Sequence, residues 1–167
     1  GYLERLDRVS RLEIISVHEG ASGLWLLGRT AGTPHDWFVR RQTNAGDWLP
    51  WEQVPTQIDA DAVATLVIGH RLHIFWANGL DGRKEPSRAQ RWKYRLSHIE
   101  RTDDGWSKTI TSETSVALRG SRGNGSTRVQ TWIFGTQIYI AVLTEGNSLG
   151  VRAPAAFLYD IPERSLR

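Results

Sequence analysis

The stretch Leu24–Val54, LWLLGRTAGTPHDWFVRRQTNAGDWLPWEQV, decides how the chain folds. Leu24–Arg29 is almost wholly apolar, and Ala31-Gly32-Thr33-Pro34 then marks a corner where Pro34 fixes the backbone. Asp36–Gln42 returns as a second strand ending in Arg40-Arg41, and Asn44-Ala45-Gly46-Asp47 is a hairpin signal. Trp48–Val54 is predicted as a third strand. Pro50 places it at an edge or a bulge, because proline has no N–H to donate to a ladder. Upstream, Ile14–Val17 begins another strand, and the cluster Glu19–Gly23 turns it into Leu24. Residues 14–54 therefore read as one antiparallel four-stranded sheet.

The same plan recurs. Val63–Ile68, a turn at Gly69-His70, Arg71–Asn78, Arg91–Arg101 and Trp106–Ser112 form a second repeat over 63–112. A third, partial repeat over 127–161 contains Arg128–Phe134, Gln137–Thr144 and Ala155–Ile161. Leu26, Ile74 and Ile140 hold equivalent places, at a spacing that suits one propeller blade with its loops. Leu3, Leu6, Val9 and Leu12 share one side of a short lead-in helix over residues 1–13. The expectation is a single all-β domain over 1–167, built of repeated antiparallel four-stranded sheets resembling sialidase blades in a partial β-propeller. Gly79–Gln90, Arg119–Ser126 and Glu145-Gly146-Asn147 read as polar loops. Propellers close with roughly four to eight blades, so these repeats leave sheet edges that need neighbouring polypeptide.

Of the 167 residues, 40% are hydrophobic and 23% charged, as in ordinary globular domains. No apolar run reaches the roughly 20 residues of a membrane-spanning helix. The net charge of +3 comes from scattered Lys and Arg with Asp or Glu nearby, which argues against a nucleic-acid partner. The absence of Cys excludes disulfides and thiolate metal sites. The start at Gly1-Tyr2 and the lack of Met read as a processed or excised segment, with no secretory leader in view.

Five segments in order carry a resemblance: LERLDRVSRLE (3–13), LLGRTAGTPH (26–35), Phe38-Val39-Arg40-Arg41, WLPWEQV (48–54) and GHRLHIFW (69–76). Together they resemble the neuraminidase-like region in the A component of bacterial Tc (ABC) insecticidal toxin complexes. The match covers Tyr2 to about Ser112 well and the remainder loosely. It implies a secreted, non-catalytic shell module of a pentameric, pore-forming translocation complex whose shell opens when pH changes. The implied partners are other domains or protomers of that complex and a host-surface glycan or receptor, with no membrane insertion by this segment itself.

The name of that region invites a catalytic reading, since sialidases hold a substrate carboxylate with an arginine cluster and use a Tyr–Glu nucleophile. Arg29, Arg40, Arg41, Arg71 and Arg95 with Tyr94, Tyr139 and Glu52 supply the residue types. A working site needs three arginines converging from different blades, and the repeats are too few for that. No catalytic residue, metal site or cofactor is therefore assigned. His35, Arg40, Arg41, Glu52, His70, Arg71 and His73 are candidate assembly or pH-responsive contacts, histidine being the side chain that changes charge near neutral pH. Trp48, Trp51 and Trp106, at hairpin ends, suit either stacking on sugar rings in a glycan-binding module or plugging space between sheets.

Overall fold

The computed structural model describes residues 9–60, 62–80, 91–119, 127–144, 155–162 and 164–166, which form antiparallel sheets with almost no helix. Of the predicted lead-in helix, residues 1–8 lie outside the described residues, Val9 and Ser10 are helical, and Glu13 already belongs to the first strand. The predicted loops within 81–90, 120–126 and 145–154 also lie outside them.

The first sheet is a four-stranded meander of β1 (Glu13–Gly20), β2 (Gly23–Arg29), β3 (Trp37–Gln42) and β4 (Glu52–Gln53), paired in chain order. Gly23 turns β1 into β2 at φ +116°, a conformation that side chains disfavour, and a Cβ there would overlap the Gln42 carbonyl oxygen. At the next corner Thr30 N donates to Asp36 O and Asp36 N to Thr30 Oγ1, both at 2.9 Å, around a cis Thr33–Pro34 peptide. The hairpin after β3 closes through Gly46 N to Thr43 O and Thr43 N to Asp47 O.

The strand predicted over Trp48–Val54 is interrupted. Trp48 bridges Gln42 and Leu49 N donates to Arg41 O, but pairing resumes only at Glu52, because Pro50 offers no donor between them. The ladder ends with Val54 N on Trp37 O.

The second sheet runs β10 (Val116–Arg119), β7 (Arg91–Thr102), β6 (Arg71–Leu80), β5 (Val63–Ile68). The predicted strand Trp106–Ser112 is two short pieces, β8 (Gly105–Trp106) and β9 (Ile110–Thr111), both on β7. Two serines explain the break. Ser107 N donates to Glu100 O while Ser107 Oγ accepts from Glu100 N, and Ser112 does the same with Leu96. Each hydroxyl replaces a backbone acceptor, so the chain stays attached to β7 without continuous strand geometry.

The third sheet is β11 (Thr127–Phe134), β12 (Gln137–Thr144), β13 (Ala155–Asp160) and β14 (Ser165–Leu166), again in chain order. It has four strands where the sequence reading marked three, the added one being the Ser165–Leu166 pair. Among the described residues these sheets are open, with no ladder joining last strand to first.

Contacts divide the chain into two units. The first holds residues 1–59, 65–73 and 100–108, around buried Trp25, Leu27, Trp37, Val39, Ile58 and Leu72. Within it Gly20, at the end of β1, lies against Val67 of β5, where a Cβ would overlap the Val67 side chain. Gly20→Val is therefore expected to lower stability by about 1–3 kcal/mol through overpacking, read as an earlier thermal transition. The second unit holds residues 60–64, 74–99 and 109–167. Its core includes Ile74, Phe75, Leu96, Ile99, Ile138, Ile140, Phe157 and Tyr159.

Candidate functional site

Of the residues that sequence reading singled out, Arg40, Arg41 and Glu52 lie on the first sheet, while Arg71, His73 and Trp106 belong to the second. The hairpin after β3 folds Trp48 and Trp51 back over Arg40, whose Cζ lies 5.0 and 5.8 Å from their ring centroids. Arg40 Nε also donates to Leu49 O at 2.8 Å. Arg41 stands opposite Trp25 in the β2–β3 register, and its Cζ lies 5.3 Å from that ring. A guanidinium over an indole gains from the ring quadrupole. Trp25, Trp48 and Trp51 thus lie against arginines.

Glu52 is the hub of a second group. Arg101 Nε reaches both of its carboxylate oxygens at 2.9 Å, and Trp106 Nε1 donates to Oε1 at 2.6 Å. Arg101 was not singled out from the sequence. The available signal was its pairing with Trp106 across the tight turn Thr102–Gly105, which turns both side chains to one face. Between the two groups lies a cleft of about 110 Å³ lined by Trp25, Arg40, Arg41, Leu49, Glu52 and Asp103, among others.

Glu52→Gln keeps the shape of the hub and removes its charge. The side chains of Arg101 and Glu52 are 22% and 40% exposed, so solvent screens the pair. The expected loss is about 0.5–1.5 kcal/mol, less than for a buried pair, with a change in Trp106 fluorescence on the folded protein.

The histidines fall into different settings. His35 Nδ1 sits 2.7 Å from the Thr30 carbonyl, so this nitrogen carries the proton and Nε2 is left as the acceptor in the neutral ring. A depression of about 410 Å³ lies beside it, with Asp36, Gln53 and Gln57 on its wall. His70 is exposed at the β5–β6 turn, and Arg71 beside it is half-buried. His73 is 1% exposed, its Nδ1 3.9 Å from Oε2 of Glu100, itself 2% exposed. In the second unit, buried His98 stacks on Phe75 at 4.6 Å and packs against Tyr159 at 4.4 Å. Glu100 was also missed, since nothing in its spacing marks it as buried.

Of the sialidase-type candidates in the first unit, Arg40, Arg41 and Glu52 line the same cleft, while Arg29 is bound to Glu13 at 2.9 Å. Arg95, Tyr94 and Tyr139 belong to the second unit. Among the described residues no three His, Asp or Glu side chains gather to hold a metal ion, and no helix is long and apolar enough to cross a membrane.

This fold is a chain of antiparallel meanders carrying an arginine–tryptophan surface, a β-rich module in class. Residues 12–131 match the neuraminidase-like domain, and the chain belongs to that family. No curated protein matches it. Among solved structures it is similar to the cryo-EM structure of Morganella morganii TcdA4, with a TM-score of 0.66 and 16% identity. The likeness covers 99% of this chain and 8% of that one.

Proposed function

We propose that this domain is a non-catalytic structural and assembly module in the shell of a secreted Tc-type toxin translocator. Its three meanders act as successive blades of an unfinished propeller within a single domain over 1–167. Its exposed borders and arginine-rich surface meet other domains or protomers, pentameric in the family it resembles. The observation that carries this reading is the match of nearly the whole chain to a small part of TcdA4, a much longer polypeptide. The site geometry agrees. Glu52 is consumed by Arg101 and Trp106, and a cleft of about 110 Å³ is small beside the roughly 300 Å³ at which small-molecule pockets begin.

Assembly through charged contacts makes the complex sensitive to pH, as carboxylates lose charge in acid, histidines gain it, and strong alkali discharges lysine. His35, His70 and Arg71 are the groups through which this domain would take part in shell opening. Reversing charge by Arg40→Glu and Arg71→Glu in the full-length polypeptide is expected to lower the yield of assembled particles several-fold, measured by light scattering. Unchanged assembly across mildly acidic to strongly basic pH, or turnover of a fluorogenic sialoside, would overturn the reading. The alternative of a glycan-binding module rests on Trp48, Trp51 and Trp106. The contacts of these rings with Arg40 and Glu52 favour assembly, and a glycan array on the wild type and Trp51→Ala separates the two.

A further inference from the structure

We propose that the cleft beside Arg41 receives the carboxylate of a glutamate or aspartate side chain from a neighbouring polypeptide, an inference that rests on the assembly reading above. The cations that line it, Arg40, Arg41 and Arg101, are held differently. Arg40 is spent on two indoles and the Leu49 carbonyl, and Arg101 holds both oxygens of Glu52. Arg41 is different. Its Nε is enclosed with no acceptor in reach. The closest carboxylate oxygen, Asp103 Oδ1, is 3.8 Å from its Nη1, beyond hydrogen-bonding distance, and the Asp103 side chain is 72% exposed. A partly enclosed guanidinium with so weak a counter-charge leaves its exposed N–H donors for an incoming carboxylate.

The size and walls of the cleft select the ligand. About 110 Å³ corresponds to roughly three or four waters, a size that suits a side-chain carboxylate. The lining sets three arginines against two carboxylates, one of which, Glu52, is already neutralised by Arg101. Trp25, Val39, Leu49 and Pro50 supply apolar wall for the methylenes of an acidic side chain. An inorganic anion would leave that wall unused. Arg41 itself keeps 24% of its side chain exposed, so atoms other than Nε remain within reach of a ligand.

The test is a titration of the protein with N-acetylglutamate N-methylamide, following the arginine Nε–Hε signals by NMR, with Arg41 assigned from Arg41→Lys. A saturable shift of the Arg41 signal in the millimolar range is expected. Arg41→Gln should weaken binding more than tenfold, with the wild-type spectrum elsewhere reporting an intact fold. Asp103→Asn should tighten it by about two- to fivefold, since it removes a competing surface charge. The corresponding glutamine amide and inorganic phosphate should give no saturable shift. Absence of saturation with the glutamate probe, or an equal response to the glutamine amide, overturns the site. N-acetylneuraminic acid binding tenfold more tightly than the glutamate probe also overturns it, in favour of a sugar-acid ligand. The assembly reading fails separately: its own readout is particle yield with Arg71→Glu, a residue that does not line the cleft.

Discussion

Glu100→Leu is expected to lower the unfolding free energy of the unit that holds it by about 3–5 kcal/mol. Glu100 and His73 are 2% and 1% exposed and face each other at 3.9 Å from β7 and β6. Deleting the carboxylate removes a buried neighbour of the His73 imidazole. His73→Leu does the converse, and a similar loss is expected. Against a total stability of about 5–15 kcal/mol either change is severe, equivalent to a transition roughly 10 °C lower. The double variant His73→Leu with Glu100→Leu should recover most of the loss, because an apolar pair of similar volume has no polar group to desolvate. Urea unfolding of the four proteins closes the cycle. Strictly additive losses would show that the two side chains are uncoupled.

Trp37→Ala should cost a comparable 3–5 kcal/mol. Trp37 is 1% exposed, and its Nε1 donates to the Ile58 carbonyl at 3.1 Å. Its own carbonyl accepts Val54 N, so this one residue ties β3 to both parts of the segment that follows β4. Trp37→Phe separates the two roles of the ring. It keeps much of the apolar volume but leaves the Ile58 carbonyl without its donor, for an expected loss of about 1–3 kcal/mol. A Phe variant as unstable as the Ala variant would show that the hydrogen bond, not the filling of the core, dominates.

These residues mark the limit of what spacing reveals. Trp37 was legible as a strand residue next to a corner. His73 was legible as a histidine on a strand, and the sequence reading treated it as an assembly contact. Its place opposite Glu100 depends on how β6 and β7 are brought side by side, with the segment 81–90 between them in the chain. The cluster around Glu52 repeats the lesson. Glu52 and Trp106 were each singled out, but Arg101 lies 49 residues from its partner, and Trp106 lies 54 from it. No local pattern encodes that meeting. Arg40 with Trp48 and Trp51 stood closer to view, since a single hairpin joins them.

The succession of strands and turns is written in the chain itself. Alternating apolar residues, glycines at positive φ such as Gly23 and Gly69, and the donor-poor Pro50 act over a few residues, and they fix antiparallel meanders. Even the broken final strand of the second sheet follows a local cause, the hydroxyls of Ser107 and Ser112. Tertiary structure alone decided which charges are spent and which remain: Glu52 on Arg101, Glu100 beside His73, and Arg41 with no full-strength carboxylate. Turn chemistry is short-ranged, whereas the pairing of a charge depends on strands that are distant in sequence and adjacent only once the sheets have packed.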